Sequence, residues 1–203
     1  MKTFADEFAT LNIDAMSLRM YATTTEDVER ALLNPTGDLT SLMALLSPAA
    51  MAYLEPMAQQ AAALTRQRFG ANLGLFIPLY VSNLCANECD YCGFSMSNKV
   101  KRKTLSLDEL NQEVAIIKQR GFDSVLLVSG EHETKVGPSY FEAIMPYIKA
   151  QFSHVAIEIQ PLETLDYQRL ARLGVDAVMV YQETYRPHTY AKHHTRGKKQ
   201  DFN

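Results

Sequence analysis

The sequence has no fourth cysteine. Cys85, Cys89 and Cys92 are the only three, all inside the run CANECDYC. An odd count at such tight spacing excludes a secreted disulfide framework. Bridged cysteines need Cα atoms within roughly 7 Å in the right orientation, and one thiol would be left over. A reducing, cytoplasmic setting is expected instead. Charge of one sign is also lacking: 20 Lys and Arg stand against 23 Asp and Glu, a net charge of −3. That leaves no electrostatic footprint for nucleic acid or an anionic membrane surface. The two basic runs, Lys99 to Lys103 and Arg196 to Lys199, are short and read as solvated loops. No apolar run approaches the roughly 20 residues that span a bilayer. The N-terminal stretch MKTFADEFATLNIDAM carries early acids and no continuous apolar segment, so no signal peptide is expected. Internal repeats and low-complexity segments are missing too. What is present is 203 residues, 47% hydrophobic and 21% charged. That is ordinary for a globular protein and enough for one sizeable core, or a domain with an appendage.

Residues 1–72 read as a helical N-terminal extension. Thr24 to Leu33 forms a short helix, with Pro35-Thr36-Gly37-Asp38 as the break after it. Ser47 to Phe69 is dense in Ala, Met, Leu and Gln, all good helix formers, and Gly70 is the stop. From residue 73 the pattern changes. Four short apolar runs, Leu75–Val81, Val125–Val128, Val155–Ile159 and Val175–Val180, read as strands. Three helices separate them. The first opens on the capping box Ser106-Leu107-Asp108-Glu109, carries Leu107, Leu110, Val114 and Ile117 at helical spacing, and ends at Gly121. The second, Pro138 to Phe152, places Phe141, Ile144, Met145 and Ile148 on one face. The third is capped by Thr164 and runs through Leu173 to Gly174. Apolar strands linked by helices imply parallel pairing with both faces covered. The predicted fold is therefore α/β: over residues 73–203, a partial (half) TIM-type barrel of about four parallel βα units. A closed barrel takes eight strands and typically about 250 residues. The expectation is a fragment, or an open edge covered by a partner.

In such sheets chemistry collects beyond the carboxyl ends of the strands. The first strand is followed by the cysteines, the second by Ser129-Gly130-Glu131-His132, the third by Gln160 and Pro161, the fourth by Tyr181-Gln182-Glu183-Thr184-Tyr185. These four loops are expected to converge on one site. Three thiolates at spacings of four and three suit one compact soft-metal centre that is one protein ligand short. An open coordination position points to chemistry. The alternative is a non-catalytic module in which a histidine, His132 being the nearest downstream, completes a zinc site.

The spacing Cys-x3-Cys-x2-Cys, with an aromatic residue before the last cysteine, resembles the signature of the radical S-adenosylmethionine enzymes. The resemblance implies that Cys85, Cys89 and Cys92 bind three irons of a [4Fe–4S] cluster while S-adenosylmethionine chelates the fourth. Reduction of the sulfonium would release methionine and a 5′-deoxyadenosyl radical. It further implies Tyr91 beside the adenine. Ser129, Gly130 and Glu131 would hold the methionine ammonium, and Glu183 the ribose diol. Glu158, with Gln160, would position cofactor or substrate. Tyr181, Tyr185, Tyr190, His193 and His194 are further polar aromatics beside the site. Longer runs are similar to the tyrosine lyases of thiamine biosynthesis: SNLCANECDYCGFSMSN, KRKTLS, LLVSGEHETKVG, IEIQPL, VMVYQETYRPHTYAKHH and GKKQDF. That likeness implies cleavage of the Cα–Cβ bond of L-tyrosine to 2-iminoacetate and p-cresol. It also implies an electron donor and a thiazole synthase as partners, with no role for nucleic acid or membrane. The related radical tyrosine lyase of hydrogenase maturation shares much of the pattern and is the nearest alternative. A truncated product that binds a cluster without catalysis is another.

Overall fold

The computed structural model describes residues 3–34 and 37–202. Pro35 and Thr36 of the expected break lie outside the described residues. The chain divides into two compact units, Met1–Leu73 and Gly74–Asn203.

The first unit is helical: α1 (Phe4–Phe8), α2 (Ile13–Tyr21), α3 (Thr25–Leu33), α4 (Leu39–Leu45), a 3-10 helix (Pro48–Tyr53) and α5 (Leu54–Phe69). Its helix starts are written locally. Thr3 with Asp6, and Thr24 with Asp27, form reciprocal capping boxes, each satisfying two amides that have no helical partner. The stretch expected as one helix over 47–69 is two elements. Pro56 has no N–H to donate backward, so the α-helix begins afresh at Leu54 behind a 3-10 turn. Gly70 ends it as expected, with φ +65°.

The second unit carries the sheet. Strands β1 (Ile77–Ser82), β3 (Ser124–Ser129), β4 (His154–Glu158) and β5 (Ala177–Met179) pair in the order β1-β3-β4-β5. All three pairings are parallel. Neighbours in space follow the order in sequence, as in a barrel; a doubly wound sheet would reverse around its first strand. The connecting helices are α6 (Leu107–Gln119), α7 (Pro138–Gln151) and α8 (Thr164–Arg172). The capping box of Ser106 and Glu109 is formed. The expected cap at Thr164 is not: the helix starts one residue earlier in register, with Glu163 at the cap position and no side-chain cap bond.

All three helices pack on one face of the sheet. Leu110, Val114 and Ile117 of α6, Phe141, Ile144, Met145 and Ile148 of α7, and Leu170 of α8 meet Leu79, Val81, Val125, Leu127, Val155 and Ile157 in one core. Covering of both faces by these helices is therefore corrected. The opposite face holds a smaller cluster of Leu126, Val128, Ala156, Ala177 and Met179, and Tyr80 there is 56% exposed. The edge strand β5 is shorter than expected, and Val178 is exposed even on the helix side. A cleft of about 270 Å³ opens beside it, lined by Ile157, Tyr167, Leu170 and Val178.

A second, two-stranded ribbon sits at the carboxyl end of the sheet. It pairs β2 (Glu88–Cys89) antiparallel with β6 (His194–Arg196), which follows α9 (Pro187–His193).

Candidate functional site

Parallel pairing places the carboxyl ends of all four strands at one end of the sheet. The cysteine loop leaves β1 there and is shaped by polar side chains. Arg102 is the largest contributor. Its Nη1 donates to the carbonyls of Asn83 at 2.7 Å and Phe94 at 2.8 Å. Its Nη2 donates to those of Ser95 at 2.6 Å and Asn98 at 3.2 Å. The first basic run is an exposed loop, as expected, except at its arginine, which gathers four backbone oxygens from both sides of the cysteines. Glu88 works from inside. Its carboxylate accepts from the Ser95 hydroxyl at 2.9 Å, the Ser97 amide at 3.1 Å and the Ser97 hydroxyl. The Ser97 and Ser95 hydroxyls, in that order, hold its carboxyl below the usual carboxylate range. Ser95 Oγ in turn accepts the Cys89 amide at 3.0 Å.

The second basic run is exposed at Arg196, Gly197 and Lys198, as expected, and only Lys199 is half-buried. Residues 187–200 lie across the cysteine loop as a strap. Cys89 pairs with His194 in the ribbon. The Asp90 amide donates to the His193 carbonyl at 3.2 Å, and His193 Nδ1 meets the Asp90 carboxylate at 2.8 Å. Gly197 has φ +86°, and a Cβ there would stand 2.2 Å from Asn87 Oδ1. Only glycine allows that approach without strain. The Lys199 amide donates to the same Asn87 oxygen at 3.2 Å, and Lys199 Nζ meets Glu183 Oε1 at 2.6 Å. Burial opposes the charge on Lys199, but Glu183, then Glu131 and Cys89, outweigh it and raise its pKa.

Asn87, 2% exposed, joins the strap to the turn after β3. Its Nδ2 donates to Glu131 Oε2 at 2.8 Å, while the Ala86 amide donates to the Glu131 carbonyl at 2.8 Å. Gly130 belongs to the same close approach: a Cβ there would stand 2.5 Å from the Leu84 carbonyl oxygen. Three of the four loops are thus drawn together, bringing Cys85, Cys89, Cys92, Tyr91, Gly130, Glu131 and Glu183 into one neighbourhood. Glu183 is the one non-glycine residue with positive φ among those described, at +44°. The third loop differs. Glu158 lies in register with Val128 and Met179 on the face away from the helices, and Gln160 is buried. Among the described residues no hydrogen bond joins either to the cysteine loop. Arg102, Glu88, Asn87 and Lys199 escaped the sequence reading.

The donor set suits a soft cation. All three thiols are free, and the Phe94 amide points at Cys92 Sγ at 3.4 Å. Burial pushes the Cys89 thiol up to about 11; Lys199 pulls it down, and the charges of Cys92 and Cys85 push it further up. Three thiolates so close repel one another, and a bound metal is what makes them ionise together. At the end of β3 the Ser129 hydroxyl is buried without a hydrogen-bond partner, a polar group that a bound molecule would satisfy. Among the described residues no group of three or more His, Cys, Asp or Glu side chains already stands at metal-ligand spacing. His132 turns its Nδ1 toward the amide of Lys135 at 3.4 Å.

A model of the radical SAM superfamily matches residues 79–202. The chain is 54% identical over 202 residues, its whole length, to the 2-iminoacetate synthase of Escherichia coli (strain K12), of which it covers 54%. The chain thus spans about half the length of the curated relatives it matches. Among solved structures it is similar to HydG, a maturase of the [FeFe]-hydrogenase, with TM-score 0.88 and 26% identity over 94% of this chain and 44% of that one. Likeness to methylornithine synthase (PylB), TM-score 0.63 at 21% identity over 91% of this chain and 52% of that one, shows the fold alone. The match from Leu79 to Phe202 takes in the cysteine loop, the parallel sheet except the first two residues of β1, and the strap, and the chain belongs to the radical SAM superfamily, whose cofactors are a [4Fe–4S] cluster and S-adenosylmethionine.

Proposed function

We propose that the chain carries the cofactor-binding part of a radical lyase that cleaves the Cα–Cβ bond of L-tyrosine to 2-iminoacetate and p-cresol, in the service of thiamine thiazole synthesis. The 54% identity to 2-iminoacetate synthase along the whole chain is the observation that carries this reading. In it, residues 73–203 are a radical SAM half-barrel and residues 1–72 a helical extension. Cys85, Cys89 and Cys92 hold the cluster. Tyr91, Ser129, Gly130, Glu131, Glu158 and Glu183 line the place of S-adenosylmethionine. Bound together, the two cofactors supply one-electron cleavage of a carbon–sulfur bond and with it a hydrogen-abstracting radical.

The chain's own residues prepare for that chemistry. Arg102 and Glu88 hold the cysteine loop open in one shape before anything binds, so little ordering remains for the moment of binding. The free Ser129 hydroxyl and the Glu131 carboxylate offer a donor and an acceptor beside a site for an ammonium and a carboxylate. Lys199 places a positive charge near the thiolates, which favours an anionic cluster. An electron donor and a thiazole synthase are the proposed partners, and the cytoplasm the proposed setting, since an unstable imine favours direct handover. Hydrogenase maturation is the second reading, favoured by the structural likeness to HydG; the twofold higher identity to the thiamine enzyme weighs against it.

The test is anaerobic reconstitution with iron and sulfide, then addition of S-adenosylmethionine, a reductant and tyrosine. A brown protein with acid-labile sulfide, lost in Cys89→Ala, and p-cresol released only with tyrosine are expected. Bound zinc in place of iron and sulfide would sink the radical reading. Cleavage of S-adenosylmethionine with no p-cresol would sink the tyrosine assignment.

A further inference from the structure

Tyr91 is an unusual tyrosine: the residue is 53% exposed, yet its hydroxyl is anchored on a buried side chain. Oη stands 2.6 Å from Nε2 of His194, which is 1% exposed. That histidine is itself held on every side. Its Nδ1 lies 2.8 Å from the Tyr190 carbonyl oxygen. A carbonyl only accepts, so Nδ1 carries a proton and Nε2 is the atom left to face Tyr91. The Tyr190 ring, 3% exposed, stacks on the imidazole with centroids 3.8 Å apart, and the Tyr91 ring meets it edge-on at 5.5 Å. The Glu183 carboxylate is a second hydrogen-bond partner of the Tyr91 hydroxyl; its Oε2 stands 3.8 Å from Nε2 on the remaining side, and its other oxygen is taken by Lys199. Strand pairing with Cys89 fixes the backbone of His194 against the cysteine loop.

We propose that His194 is a positioning residue, which locks the half-exposed Tyr91 ring between Cys89 and Cys92 through the hydrogen bond between its Nε2 and Tyr91 Oη. An exposed aromatic side chain on a polar loop would otherwise exchange among rotamers, and a flat ligand would have to order it on binding. Here the ordering is done in advance by a buried ring on the neighbouring strand, contributed by the strap rather than by the loop itself. The proposal rests on the reading that the cysteine loop holds the cluster and that Tyr91 adjoins the second cofactor. The lock itself is a property of the unloaded chain.

Two readouts test it. In the unloaded chain labelled with 15N-histidine, His194 should show a protonated Nδ1 in slow exchange. Tyr91→Phe, which deletes one oxygen and leaves the ring, should shift the Nε2 resonance. An Nε2 resonance indifferent to Tyr91→Phe overturns the lock. In the anaerobically reconstituted chain, Tyr91→Phe and His194→Phe should each weaken S-adenosylmethionine binding about five- to tenfold in calorimetry. The double variant should be no weaker than either, and His194→Gln, which restores an acceptor near the position of Nε2, should recover most of the loss. Losses that add, or no rescue by glutamine, overturn the positioning role. If His194→Phe does not fold, Tyr91→Phe and His194→Gln decide the matter. If the unchanged chain takes up no iron and sulfide, the cluster reading falls, and the nitrogen spectra still judge the lock.

Discussion

The helix-covered face of the sheet and the cysteine loop beside it are held by different physics. In the layer, Phe141, Met145, Ile148, Leu127, Val155 and Ile157 are fully buried, and cohesion comes from apolar area removed from water. In the loop, Arg102, Glu88, Asn87 and Ser95 do the holding through hydrogen bonds, several of them to charged groups. Apolar packing is non-directional and tolerates small shifts. A guanidinium fork shared by four carbonyls is directional, and it fixes one backbone path. The layer makes the protein stable; the loop, which contributes little buried area, makes one end of it specific.

The largest expected effect lies in the layer. Phe141→Ala should cost about 3–5 kcal/mol of unfolding free energy, the usual range for emptying a packed aromatic site. Amide exchange across β3 and β4 should accelerate accordingly, while amides of residues 83–103 keep whatever protection exceeds the new global limit. If the loop loosened first, the division between the two regions would be wrong.

Arg102→Ala should reverse that pattern. Truncation releases four carbonyls to water and should cost about 2–3 kcal/mol, most of it local. Exchange at Leu84 to Asn98 should rise while β3 and β4 stay protected, and iron uptake on reconstitution should fall several-fold. Arg102→Lys should restore only part of it, because an ammonium lacks the planar fork. Loss of the whole fold in Arg102→Ala would show that the loop supports the layer after all.

The same division governs how much could be read from the residues. Phe141, Ile144, Met145 and Ile148 were expected on one helical face and are all buried. The Ser106–Glu109 capping box was expected and is formed, with the Ser106 amide 2.9 Å from Glu109 Oε2. Both signals are local, three or four residues apart, so a single sequence displays them. The cysteine spacing is equally local, and the family match spans it. What could not be read is the set of polar pairs that close over long separations. Lys199 reaches Asn87, and His194 reaches Tyr91, across more than 100 residues. No periodicity announces such pairs, and charge alone made Arg102 and Lys199 look solvated. A weak signal was present: Gly197 ahead of Lys198 and Lys199 marks a turn where backbone must come close. The short β5 was overestimated because Val175 to Val180 is apolar apart from Asp176; pairing on one side only leaves its ends outside the strand.

The smallest effect separates the regions by pH, because each contains a carboxylate that accepts a backbone amide. In the layer, Asp176 Oδ2 accepts the Val155 amide at 2.8 Å and the Lys149 ammonium at 2.8 Å. The Lys149 bond first, then the Val155 amide, hold its carboxyl below the usual value. A carboxylate with a depressed folded pKa contributes stability that is present above its unfolded value near 4. The contribution is lost as pH falls through the folded one. The side chain is 35% exposed, so solvent screening keeps the contribution below about 1 kcal/mol. Asp176→Asn keeps an oxygen for Val155 and removes the charge facing Lys149. The stability difference between the two proteins should therefore be greatest at neutral pH and vanish in acid, where Asp176 is protonated. Glu88 gives the matching contrast in the loop, since it accepts the Ser97 amide and is depressed by Ser97 and Ser95. Protection of the Val155 amide should respond to Asp176→Asn and that of the Ser97 amide should not. A response at both would mean that layer and loop are coupled along the strands and are not held separately.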